Sequence, residues 1–244
     1  MSDLAQKFEL AVETSGRIGS VAILKEGLVL LERSMSGFMK HSAELFEIIA
    51  ELTQQAGIRP GAIQTLYITV GPGSFTGIRI AVTLAKMMGY ALNSRIVAVD
   101  TLDALAENAA DIISTSGATL RRVATILDAK QNRFFAALYE YNGQELEKIY
   151  PSSLVYPEEL LAIINKDNVP TGLLGEGLVY YADKFKSPLT MLLDEATWPA
   201  TARGVYAAGR KMAAKGQFSD IYTLVPAYIR KPDAVEKREL KEAH

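Results

Sequence analysis

The amino-acid sequence predicts an α/β fold in two lobes, each built as βββαβα around a mixed sheet. The order βββαβα can be read twice along the 244 residues, and short apolar runs of strand type alternate with amphipathic runs of helical period. Size agrees: 49% apolar and 22% charged residues in a chain of this length supply one large core or two small ones.

Residues 8–12, 20–24 and 28–34 read as three successive strands, divided by Gly16 and Gly19 and then by Glu26-Gly27. An amphipathic helix is predicted over 42–57, with Leu45, Ile48, Ile49, Leu52 and Ala56 on one face and Pro60 beyond its glycine stop. Strand 65–70, helix 76–92, strand 96–99 and helix 101–113 complete the first unit. The second repeats it with strands 123–127, 133–141 and 145–150, helix 157–164, strand 171–174 and helix 178–185. The first lobe is therefore set at 1–114, the second at 115–200, and a returning segment at 201–230 whose helix, 202–215, suits either lobe. The tail, 231–244, is charged and reads as solvated, with Lys231, Lys237, Arg238 and Lys241 interspersed with Asp233, Glu236, Glu239 and Glu242.

With 26 basic against 28 acidic residues there is no bulk positive field, so tight nucleic-acid binding by the chain alone is not expected. There are no cysteines and two histidines, His41 and His244, which leaves no zinc site of the usual kind and no thiol nucleophile. The first seven residues lack the basic and apolar regions of a leader, and no apolar run nears 18 residues, so a cytoplasmic protein without a membrane span is expected.

The run Gly71-Pro72-Gly73-Ser74-Phe75-Thr76-Gly77-Ile78-Arg79-Ile80 joins a strand directly to a helix. Such a turn can leave backbone N–H groups free at a helix N-terminus, where an anion is favoured, or it can simply feed a packed helix. Neither a P-loop nor a dinucleotide fingerprint is present. Beyond the turn, Arg79 and Lys86 are the only charges before Asn93, and Gly77, Ala81, Ala85 and Gly89 form a low ridge at intervals of four. Ile80, Leu84, Met87 and Met88 make a second, bulky face. A helix this apolar is either buried in its own lobe or shared with another subunit.

The duplicated order is similar to the actin-like, sugar-kinase and Hsp70-type ATPase fold, and Gly71 to Ile80 resembles the signature of the bacterial TsaB (YeaZ) family. Leu10-Ala11-Val12-Glu13-Thr14-Ser15, Leu127-Asp128-Ala129-Lys130 and Pro226-Ala227-Tyr228-Ile229-Arg230 agree with it. The resemblance implies a non-catalytic subunit that binds and activates its paralogue TsaD in N6-threonylcarbamoylation of adenosine 37, in tRNAs reading codons that start with A. TsaC would supply threonylcarbamoyl-AMP and TsaE would drive turnover. It also implies a homodimer when the chain is alone, tRNA contact only through the complex, and no cofactor of its own, with ATP or ADP at the contact with TsaD. The partner face would comprise Gly77, Ala81, Leu84, Ala85, Met88 and Gly89 on one helix and Leu45 and Ile49 on the other. Ala81→Arg or Ala85→Arg would then abolish assembly and leave the lobe folded.

TsaD-like proteins hold a metal with a His-x-x-x-His segment, and the matching positions here are Thr101 and Leu105. Asp100 and Asp103 offer at most a weak Mg²⁺ site completed by water, so no metal is expected. Candidate nucleotide or phosphate contacts are Gly71, Pro72, Gly73, Ser74, Thr76 and Arg79 on the turn, with Glu13, Thr14 and Ser15 on the first strand. Asp128-Ala129-Lys130-Gln131-Asn132 lacks the glycine of a phosphate loop and reads as a polar turn. Gly175-Glu176-Gly177 reads equally as a remnant of an adenosine loop or a strand-to-helix turn. The competing reading is an independent ATP-dependent kinase or ATPase using Glu13, Asp128 and the Gly71-Pro72-Gly73 turn. A metallopeptidase is the weakest, for want of ligands.

Overall fold

The computed structural model describes residues 7–37, 41–116 and 120–229; at 41–43 only the backbone is described. The predicted tail and the His41 and His244 side chains lie outside that description. Two five-stranded mixed sheets follow one plan. In the first, β1 (Phe8–Glu13), β2 (Ser20–Lys25), β3 (Leu28–Ser34), β4 (Ile63–Gly71) and β5 (Arg95–Asp100) are ordered β3-β2-β1-β4-β5. In the second, β6 (Arg122–Asp128), β7 (Phe134–Tyr141), β8 (Leu146–Val155), β9 (Thr171–Leu174) and β10 (Thr190–Leu192) are ordered β10-β9-β6-β7-β8. Each places an antiparallel meander beside two parallel strands. The two sheets thus share one topology, as the repeated order predicts.

The side-chain period of two sorts the first sheet's residues onto two covered faces. Leu10, Val12, Val21, Ile23, Leu66 and Ile68 face α1 (His41–Gln55) and α2 (Phe75–Leu92). Ala11, Ala22, Leu24 and Tyr67 face α6 (Ala202–Ala214). The returning helix thus packs on the first sheet, where Gly209 brings its backbone against the Tyr67 ring. In exchange, α3 (Thr101–Ala106) and α4 (Ala110–Thr115) place Leu102, Leu105, Ala109 and Ile113 in the core of the second sheet, beside α5 (Pro157–Lys166) with its Leu160 and Ile164.

Four elements differ from expectation. The helix predicted over 101–113 is broken by a 3₁₀ turn at Glu107–Ala109, where Asn108 donates to the carbonyls of Thr197 and Pro199. The helix predicted over 178–185 is two 3₁₀ turns, Glu176–Leu178 and Ala182–Phe185, because the chain turns at Gly175 (φ 125°) against Ile126. The strand from 145 runs on to Val155, carrying Pro151 at a register shift on an edge strand, where a missing N–H does least harm. The three-residue β10 had no pattern of its own and exists by pairing with β9. Among the described residues no helix is long and apolar enough to cross a membrane.

Candidate functional site

The end of β1, the turn after β4 and the start of α2 converge. Glu13 is fully buried, and its Oε1 accepts from the backbone N–H of Ser15 (2.6 Å), from the Ser15 hydroxyl and from the N–H of Gly16 (3.3 Å), with Thr69 Oγ1 at 3.4 Å. Thr101 Oγ1 donates to Ser15 Oγ at 3.0 Å. Desolvation raises the Glu13 carboxyl to about 7, against the Ser15 and Gly16 hydrogen bonds that lower it, and the nearby Glu176 carboxylate adds to the rise. Gly16 lies between those acids: a Cβ there would sit 3.3 Å from Glu176 Oε2 and 3.5 Å from Glu13 Oε2.

The candidate phosphate residues are brought together, but they bind one another. Ser74 N–H donates to the Ser15 carbonyl at 2.8 Å, Gly77 N–H to Ser74 Oγ at 3.2 Å, and Thr14 Oγ1 to the Gly77 carbonyl at 2.8 Å. The approach is so close that a Cβ at Gly73 (φ 150°) would lie 2.5 Å from the Ser15 oxygen, and one at Gly77 1.7 Å from the Thr14 oxygen. Two of the amides at the helix start, those of Ser74 and Gly77, are therefore already bonded within the chain. Gly71 and Pro72 are buried, with Gly71 against the carbonyl of Ala227, whose N–H donates to Val70 at 2.8 Å. Thr76 and Arg79 are exposed, and the Arg79 guanidinium sits 5.3 Å over the Phe75 ring, which stacks on Tyr228 at 4.8 Å.

The expected partner face requires correction. Gly77, Ala81, Leu84, Ala85, Met88 and Gly89, like Leu45 and Ile49 on α1, are all buried in the chain's own first lobe. Thr14 closes one end of the ridge and Ile221 the other, its Cγ2 only 2.5 Å from a Cβ built on Gly89. An arginine at Ala81 or Ala85, both 0% exposed, would therefore disrupt the lobe itself and report nothing on assembly. The outward stripe of α2 is Arg79, Thr83, Met87 and Tyr90, the last two 53% and 77% exposed; on α1 it includes Phe46, 47% exposed, and Ala50.

At the positions matching the histidine pair, Thr101 is tied to Ser15 and Leu105 is core. Asp100 caps α3 through Leu102 N–H (2.8 Å) and accepts from Ser152 (2.6 Å); Asp103 accepts from Tyr139 (2.7 Å) and pairs with Lys148 (2.7 Å). Burial raises Asp100, with the Lys148 charge opposing. Among the described residues no group of three or more His, Cys, Asp or Glu is placed to hold a metal. Asp128 accepts from Lys130 N–H and pairs with Lys130 Nζ, both at 2.7 Å, inside a hairpin turn whose Lys130, Gln131 and Asn132 all have positive φ. Gly175 and Gly177 both pack on the backbone of Ile126. Between the lobes lies a cavity of about 290 Å³ lined by Arg17, Ile18, Glu176, Val179, Glu195, Trp198 and Pro199. Sequence reasoning missed the roles of Thr69, Thr101 and Ala227; Thr101 had been considered only as a metal position, and Ala227 belongs to a quoted motif whose purpose no spacing reveals.

A family model described as TsaD: tRNA N6-adenosine threonylcarbamoyltransferase matches residues 38–237. The tRNA threonylcarbamoyladenosine biosynthesis protein TsaB of Bacillus subtilis (strain 168) is 27% identical over 231 residues, covering 93% of this chain and 96% of that protein. TsaB of Escherichia coli (strain K12) is 25% identical over 239 residues, with 96% and 99% covered. The solved structure of YeaZ from Pseudomonas aeruginosa superimposes with a TM-score of 0.78 at 25% identity, over 91% of this chain and 99% of that one.

Proposed function

The chain belongs to the family of TsaD, tRNA N6-adenosine threonylcarbamoyltransferase, on its TsaB (YeaZ) branch, and from that membership we propose that it serves tRNA threonylcarbamoyladenosine biosynthesis as a non-catalytic subunit that binds and activates TsaD. The observation that carries this reading is the outward stripe on α1 and α2. Phe46, Met87 and Tyr90 are large apolar or aromatic side chains held in solvent by two helices whose other faces are fixed in the core. Such residues on rigid elements are typical anchors of protein contacts. The TsaD family model covers the region that holds both helices, so like elements of the two proteins would pack on like in a contact of near-twofold form. Without TsaD, the same stripe pairs two copies of the chain. The closed start of α2 supports a subunit that leaves chemistry to TsaD, with any ATP or ADP held at their contact, TsaC supplying threonylcarbamoyl-AMP and TsaE driving turnover.

The test is tRNA threonylcarbamoylation with TsaC, TsaD and TsaE, with and without this chain, read as modified adenosine by nucleoside mass spectrometry. Modification is expected to require the chain; equal modification without it overturns the proposal, and ATP hydrolysis by the chain alone would favour an independent ATPase. Met87→Asp with Tyr90→Asp is expected to leave folding unchanged by circular dichroism and to weaken association with TsaD by about two orders of magnitude in calorimetry, the loss of two anchors. Undiminished association would remove this stripe from the contact.

A further inference from the structure

The two lobes are joined through the core by α3 and by the return of the chain to α6. On the side of the 290 Å³ cavity they meet differently, through the half-buried Arg17 and Glu176 and the exposed Tyr180. Arg17, on the turn between β1 and β2, donates its backbone N–H to Glu176 Oε2 of the second lobe at 2.9 Å. Its guanidinium lies 5.4 Å over the ring of Tyr180 and donates to the Tyr180 hydroxyl at 3.3 Å, although Tyr180 remains 73% exposed.

We propose that Arg17, Glu176 and Tyr180 form a releasable clasp across the cleft mouth, which holds the second lobe against the turn that props the start of α2. Magnitudes favour a device over a fixed joint: an exposed cation–π contact shifts an equilibrium by about two- to fivefold, and one hydrogen bond to a carboxylate by about ten- to a hundredfold. A joint of that strength closes the mouth most of the time and still opens. The linkage to α2 is short. Arg17 is two residues from Ser15, whose carbonyl receives the Ser74 N–H and whose hydroxyl receives Thr101. Movement of this turn therefore bears directly on residues 74–78, independently of which partner α2 meets.

Trp198 is the chain's only tryptophan, is nearly buried, and forms part of the cavity wall, so its fluorescence reads the cleft alone. With the full chain, Tyr180→Ala and Glu176→Ala are each expected to raise acrylamide quenching of Trp198 several-fold and to speed amide exchange at residues 74–78. Arg17→Ala combined with Tyr180→Ala should do less than the sum of the two single effects, because the two share one contact. Arg203→Ala, which breaks an exposed pair with Glu32 away from the cleft, should leave both readings unchanged. The proposal is overturned if quenching is unaltered in Tyr180→Ala and Glu176→Ala, if the Arg17 and Tyr180 effects simply add, or if the cavity opens while exchange at 74–78 stays at its original rate.

Discussion

Gly77→Ala is expected to cost about 4 kcal/mol of stability and to lower the melting temperature by about 10 °C, a far larger effect than a single methyl group on a helix ordinarily has. The cause is geometric. The new Cβ would lie 1.7 Å from the Thr14 carbonyl oxygen, which is backbone and cannot swing away. Relief requires the first turn of α2 to move off the end of β1, breaking the Thr14 to Gly77 and Ser74 to Ser15 hydrogen bonds together. Gly61→Ala, at a position with nothing within 4 Å of the added carbon and no positive φ, serves as the control and is expected to be nearly neutral. Thermal unfolding of the two variants side by side checks the contact: if Gly77→Ala melts with Gly61→Ala, the close approach of helix and strand is wrong.

Glu13→Gln is expected to change how stability depends on pH. With the folded carboxyl raised from 4.5 to about 7 by burial, the folded protein holds a proton between those values that the unfolded chain has released. Stability from this group is complete below pH 4.5 and is lost as pH rises to about 7, in all by about 3 kcal/mol, beyond which the charged form is simply carried at that cost. Glutamine keeps a neutral acceptor for the Ser15 and Gly16 N–H groups at every pH. The variant should therefore match the parent at pH 4 and exceed it by about 2 to 3 kcal/mol at pH 8, in urea titrations across that range. Parallel curves for the two proteins would show that Glu13 does not carry the slope.

The residues of this site were visible in the sequence, yet their use was not. Glu13, Ser15, Gly73 and Gly77 stand out by type and spacing, but the same pattern serves an anion cradle and a closed turn. The 2.8 Å bond from Ser74 to Ser15, which joins segments 59 residues apart, already occupies one of the amides concerned. The segment around Ala227 is legible only as a motif, since its task is to meet Val70, far from it in sequence.

From sequence alone, short apolar runs bounded by turn residues, such as 8–12 and 65–70, and the period near four in helices such as 42–57 determined the elements, and their repeated order determined the two lobes. Apolar runs had to be covered on both faces, and hydrophobic burial acts through that local pattern. What covers each face was decided only by tertiary structure. The Gly77 to Gly89 ridge reads as an open seat for another helix until Thr14 and Ile221, remote in sequence, are found in it. The helix over 202–214 was free to join either lobe until Gly209 and Tyr67 were seen to fit. Periodicity states that a surface is apolar; close packing, which depends on shape across distant segments, selects its occupant and leaves Met87 and Tyr90 exposed.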